Sequence, residues 1–147
     1  MTRTFAMTST IVLCLTMAGT AQPDPMPRGK GEQQGTVYRA PGGTTLRLML
    51  DESNVGSEVS LGEMTFPPNS DSGDHQHGAI EIFYVISGEL NHIVNGKSQI
   101  LTPGMAGYVK PPDKVRHKTG PAGAKVVVVW VPGVEAQKIA VRWTREP

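Results

Sequence analysis

Leu46, Leu48 and Leu50 fall on one side of an alternating run over residues 44–50, and the alternation returns over residues 58–66. Positions i and i+2 of an extended segment share a face, so this period-two pattern predicts half-buried strands. Pro67-Pro68-Asn69 closes the second run, because proline cannot donate to a strand ladder. Residues 81–86 read as a further strand, with Ser87-Gly88 as a turn behind it. Residues 90–94 and 97–101 read as a hairpin closed by Asn95-Gly96, a dipeptide suited to the positive-φ positions of a tight hairpin turn. Thr102-Pro103-Gly104 is the next turn, and strands are expected over residues 106–110, 115–119 and 125–131. In the last of these, Val126-Val127-Val128-Val129 is a continuous β-branched run, as in a strand covered on both faces. Residues 137–143 fit a final strand or a short helix. No segment keeps a helical period over three turns, and there is no internal repeat. Nine or so short strands separated by Gly and Pro turns predict an all-β fold, a single antiparallel sandwich or barrel.

The N-terminus follows a different pattern. Arg3 precedes an apolar and small-polar stretch over residues 7–18, centred on Ile11-Val12-Leu13-Cys14-Leu15, and Gly19-Thr20-Ala21 follows. A positive start, a short apolar centre and small residues at the end predict a secretory signal peptide over residues 1–21, cleaved after Ala21. The apolar stretch is shorter than the ~20 residues of a membrane-spanning helix. Residues 22–35 hold three prolines and three glycines without hydrophobic period, a flexible leader. The folded domain is expected over residues 36–147, and the mature protein outside the cytoplasm, secreted or periplasmic. Cleavage removes Cys14, the only cysteine, which excludes a disulfide framework and any thiolate chemistry. The chain has 14 basic and 13 acidic residues, with Arg3 the only charge in the signal. That balance excludes a partner bound through a basic field, such as nucleic acid or an acidic lipid surface. No membrane association is expected once the signal is gone.

Of the four histidines, three are spaced for joint work. His75 and His77 share a face if extended, and Glu81 has the same parity. His117 lies on a later predicted strand. Imidazole nitrogen with carboxylate oxygen is a donor set for a first-row divalent transition metal, and Mn, Fe, Ni, Co, Cu and Zn are all compatible with it. Four donors leave about two open positions on a six-coordinate ion for water, dioxygen or a bidentate substrate. Glu81 is also the first candidate for a catalytic role. His92, on a hairpin strand, reads as an ordinary surface or core histidine. No Ser-His-Asp arrangement, phosphate-cradling loop or nucleotide fingerprint is present.

His75-x-His77-x-x-x-Glu81 followed by Gly88 resembles the first motif of the cupin superfamily, and Pro112-Asp113-Lys114-Val115-Arg116-His117 resembles the second. Pro103-Gly104 stands where cupins usually turn. The resemblance covers roughly residues 46–131 and implies a jelly-roll β-barrel with a metal inside, held by His75, His77, Glu81 and His117. The departures fall in turns. Asn69 replaces a glycine, and asparagine is the residue best able to take its positive φ; Lys114 replaces another glycine, Pro121 an asparagine and Met105 an aspartate. Alternate side chains of a barrel strand point inward. Phe83 and Val85 should therefore share the face of Glu81, and Val115 and Thr119 that of His117. Arg47, Glu63 and Tyr108 are further candidates for a substrate pocket, each weighed against a solvated or packing role. Ile82 and Tyr84 should face outward, toward a second sheet or a partner in a homodimer. By resemblance the expected function is metal-dependent chemistry on a small organic molecule, foremost of dioxygenase type. The alternatives are a metal-containing binding module without turnover, or a metal-dependent lyase or isomerase using Glu63 or Tyr108 to move a proton.

Overall fold

The computed structural model describes residues 35–147. The segments expected to be a signal peptide and, but for Gly35, a leader lie outside the described residues. Eight strands and one helix follow in the order β1 (Thr36–Arg39), β2 (Thr45–Leu50), β3 (Ser60–Phe66), β4 (Ile80–Val94), β5 (Lys97–Leu101), β6 (Ala106–Val109), β7 (Val115–Val131), α1 (Val134–Arg142) and β8 (Thr144–Arg145). All pairings between strands are antiparallel, in the order β5-β4-β7-β3-β2-β1-β8, with β6 also on β4. This is the expected antiparallel jelly-roll fold.

Two expected turns are bulges inside long strands. The runs predicted over residues 81–86 and 90–94 belong to one strand of 15 residues, and those over 115–119 and 125–131 to one of 17. β4 and β7 pair from Ile80–Val131 to Val94–Val115, with register shifts between Val85 and Ser87 and between Gly88 and Leu90, the second of which skips residues 120–123 of β7. These shifts change the parity of the buried face. On β4 the buried side chains run Glu81, Phe83, Val85 and then Leu90, His92; on β7 they run Val115, His117 and then Ala124, Val126, Val128, Trp130. Gly88 (φ +73°) and Gly123 (φ +67°) sit at this switch. A Cβ on Gly88 would stand 2.1 Å from the Gly123 carbonyl oxygen, so neither conformation nor space admits a side chain there.

Other local expectations hold. Asn95 and Gly96 both have positive φ (50° and 78°) in the β4–β5 turn, and Asn69 has φ 54° where it replaces a glycine. The C-terminal segment is a helix over residues 134–142, the second of the two forms expected for it, and it starts three residues early. The core joins Leu46, Leu48, Met64, Phe66, Phe83, Val85, Leu90, Leu101, Val126, Val128 and Trp130 with Ala136 of α1. Leu50, after the β2 bulge, is only half-buried.

Candidate metal centre

His75 and His77 lie in the loop between β3 and β4, which runs alongside the first half of β7. His75 N–H donates to the Val115 carbonyl and Val115 N–H to that of His75, both at 2.9 Å. One turn of chain earlier, Ser72 N–H donates to the His117 carbonyl (3.0 Å) and His117 N–H to Ser72 Oγ (2.9 Å). Arg116 clamps the loop from outside through Asp71, holding that carboxyl well below the usual carboxylate range. The loop is thus extended where it carries the two histidines, as the spacing requires. Their rings lie on one side with centroids 4.9 Å apart, and the His117 ring stands 5.6 Å from that of His75.

Glu81 enters from β4 and is 2 % exposed. Its Oε1 accepts a hydrogen bond from Trp130 Nε1–H at 2.9 Å, its register neighbour on β7. Its Oε2 lies 2.8 Å from His77 Nε2. That contact lacks hydrogen-bond geometry, and both atoms are buried without another partner. A buried nitrogen facing a buried carboxylate oxygen calls for a positive charge between them. In the metal-free protein a proton on His77 supplies it, and a divalent cation bound to both atoms would replace that proton.

The second nitrogen of each ring is tied outside the cluster. His75 Nδ1 is 3.0 Å from the Gly73 carbonyl, which can only accept, so Nδ1–H donates and Nε2 keeps its lone pair. His77 Nδ1 faces Glu135 Oε1 at 3.5 Å. His117 Nε2 lies 3.1 Å from His92 Nδ1, and His92 Nε2 lies 3.0 Å from the Tyr108 carbonyl. With His92 neutral, its Nε2–H donates to that carbonyl and its Nδ1 accepts from His117 Nε2–H, which puts the His117 lone pair on Nδ1. Outer partners of this kind fix the tautomer and orientation of metal-binding histidines. The rings of His92 and His117 are stacked, 18° from parallel, and Phe83 packs edge-on against both.

Burial moves the His117 pKa well below its ordinary value, with the fields of His92, His75 and His77 acting the same way. At His77 burial also pulls the pKa down, but Glu81 and Glu135 outweigh it and the net shift is upward. Among the described residues, no three donors are closed on a common point tightly enough to hold an ion as they stand. The four share one region of the barrel interior, with lone pairs or orphaned atoms at His75 Nε2, His77 Nε2 and Glu81 Oε2. In chemical type and placement these residues fit a divalent transition metal.

The tentative pocket residues divide. Phe83 lies beside the His117 ring, while Val85 and Val115 are buried core. Thr119 Oγ1 donates to the Pro67 carbonyl and accepts from Ser70 N–H, a structural role. Three candidates face away from the interior, against the pocket assignment. Arg47 is exposed and stands opposite Glu63 in the β2–β3 register, Glu63 pairs with Lys125 (2.8 Å), and Tyr108 is 63 % exposed. Parity explains all three, because they alternate with buried Leu46 and Leu48, Gly62 and Met64, and Val109. Ile82 and Tyr84 face outward as expected. From the sequence, Trp130 reads as a core or interface residue in preference to a substrate contact, Glu135 draws no notice, and His92 reads as an ordinary histidine. Glu135 had a signal: Pro132-Gly133 before it, Lys138 three residues on and Arg142 beyond, the charge order of a short helix.

The family model of the cupin domain matches residues 62–132. Among solved structures, an RmlC-like cupin from Shewanella frigidimarina is 22% identical with a TM-score of 0.62, over 73% of this chain and 91% of that one. A predicted oxalate decarboxylase from Thermotoga maritima is 19% identical with a TM-score of 0.62, over 71% and 97%. The DMSP lyase DddQ from Ruegeria pomeroyi is 20% identical with a TM-score of 0.52, over 56% and 42%. No curated protein matches the chain. With the fold and both motifs in agreement with the family model, residues 62–132 form a cupin domain.

Proposed function

We propose that this cupin is a metal-dependent enzyme acting on a small organic molecule, and that its reaction is oxidative, of dioxygenase type. The observation that carries the metal reading is the pair of orphaned buried atoms, His77 Nε2 and Glu81 Oε2, facing each other at 2.8 Å. His75, His77, Glu81 and His117 would hold the ion. Bound there, a divalent metal would supply Lewis-acid and redox chemistry. The chain's own contributions are orientation and exclusion of water. Trp130 fixes the Glu81 carboxylate, the β7 contacts fix the His75 backbone, and Phe83 gives the centre an apolar wall. Apolar walls around a few placed polar groups suit a small organic ligand. The oxidative reading is preferred to a lyase or isomerase because Glu63 and Tyr108, the proton carriers considered for that chemistry, face outward. The solved relatives include a protein described as a lyase and one as a predicted decarboxylase, so the test runs with and without oxygen.

The test is metal analysis of the purified protein, followed by turnover of a small-molecule panel under air and under nitrogen, for wild type, His77→Ala and Glu81→Gln. Wild type is expected to bind one divalent ion and to consume oxygen with its substrate. His77→Ala should lose ion and turnover while its circular dichroism stays that of a folded barrel. Glu81→Gln keeps an oxygen donor and should bind the ion more weakly. Wild type without metal affinity, or variants with full turnover, would overturn the metal-dependent reading. Turnover equal under nitrogen would move the reaction to the lyase class, and metal-dependent binding without turnover would make the protein a binding module.

A further inference from the structure

Glu135 is a charged residue held almost out of water, 7 % exposed, in the first turn of α1. Its carboxylate has three polar neighbours. Oε1 faces His77 Nδ1 at 3.5 Å, and Oε2 accepts from Lys138 Nζ at 2.9 Å, one helical turn on. The Gly78 backbone N–H also donates to the carboxylate. A Cβ on Gly78 would stand 3.1 Å from Glu135 Oε2 and 3.0 Å from Lys138 Nζ, so the glycine leaves room for this approach. Ala136, wholly buried beside it, docks the helix on the barrel core. His77 therefore stands between two buried carboxylates, with Nε2 toward Glu81 and Nδ1 toward Glu135.

We infer that Glu135 is a positioning residue of the metal centre, reaching in from the C-terminal helix to hold the His77 ring and keep its proton on Nδ1. The inference rests on the metal reading above and adds α1 to the centre. A carboxylate accepting from the outer N–H of a ligating imidazole leaves the inner nitrogen with its lone pair, makes it a stronger donor and fixes the ring plane. Lys138 keeps the carboxylate ionised and in place. Helix docking and ion binding are then coupled through one side chain.

Chelator competition with Co²⁺ and Zn²⁺ tests this on the full chain, with the visible spectrum of the Co²⁺ form and the melting temperature of the metal-free form as further readouts. Glu135→Ala is expected to weaken ion binding about 10- to 100-fold and to alter the Co²⁺ spectrum. Glu135→Gln, whose amide oxygen can still accept from Nδ1–H, should fall between Ala and wild type. If wild type binds neither ion, the metal reading fails first. If wild type binds, His77→Ala does not, and both Glu135 variants match wild type in affinity and spectrum, the inference is overturned while the metal reading stands. A variant that lowers only the metal-free melting temperature, with affinity and spectrum unchanged, would likewise reduce Glu135 to a structural helix contact.

Discussion

Replacing Trp130 by Phe removes one N–H from a place with no water to replace it. Trp130 is wholly buried and Glu81 is 2 % exposed, and the 2.9 Å bond between them is the one partner of Glu81 Oε1 in hydrogen-bond geometry among the described residues. A hydrogen bond to a charged group contributes about 1.5–3 kcal/mol, and an acceptor left bare in the interior costs its desolvation. The smaller ring adds a packing loss of its own. A cycle with Glu81→Leu separates the two effects. With the carboxylate gone, Trp130→Phe should cost only the packing loss, and the single costs should exceed additivity by about 1.5–3 kcal/mol. For a domain of this size that coupling is about 5–15 °C in Tm. Denaturant titration of the metal-free proteins reads it, followed by far-UV circular dichroism because Trp130 is one of only two tryptophans. A coupling within about 0.3 kcal/mol of zero would mean that the carboxylate is satisfied by something else, and the account of how Glu81 is held would be wrong.

Two further outcomes follow from the same interior. The metal-free protein should be most stable near pH 6.5. Below that value the unfolded chain protonates residue 117 while the folded state, whose His117 pKa lies well below 6.5, resists; above it the folded state holds a proton on His77, whose pKa is raised, that the unfolded chain has released. Melting temperatures across pH should therefore fall on both sides, His117→Gln flattening the acid limb and His77→Ala the alkaline one, and unchanged limbs in those variants would refute the assignment. Gly88→Ala should destabilise the barrel by about 1–3 kcal/mol or prevent its folding, since it combines a positive φ with a backbone collision; a melting temperature equal to wild type would show that the β4 bulge can be rebuilt.

Much of the fold was legible because its signals are local. Asn95-Gly96 asks for positive φ at both positions and gets it, and the alternations around Leu46 and Met64 are the burial patterns observed. His75 and His77 share a face through spacing alone. The strand joins were misread because Gly88 and Pro121 look like turn residues. Each half of β4 or β7 gives its own clear period, and only the partner strand shows that the two halves are continuous. Arg47, Glu63 and Tyr108 were weighed as inward residues because a charge or hydroxyl in an apolar strand draws attention, yet their parity already placed them opposite the core. Trp130 and Glu135 carry no motif. Their roles depend on which residue stands across a ladder or over a loop, and that is a property of the assembled barrel.

The same ladder explains how the centre is built. Glu81 stands opposite Trp130 and His92 opposite His117, both pairs in β4–β7. In a regular strand, residues 81 and 92 would point to opposite faces, as would 117 and 130, because each separation is odd. All four are buried on one side because both strands change parity between the pairs, where Gly88 meets Gly123. The bulge thus sets the phase between the carboxylate end of the centre and the histidine end. A one-residue slip in either half would turn its pair to the outer face, exposing Glu81 or His117 and burying Ile82 or Arg116. Buried Phe83, Val85, Val126 and Val128 lock the register of the half that carries Glu81, and buried Leu90 and Val115 that of the half that carries His117. Core packing therefore sets the strand phase that brings the donors to one region, and only their closure onto a common point is left to the ion. That is why loss of a single ligand should remove the metal and leave the barrel standing.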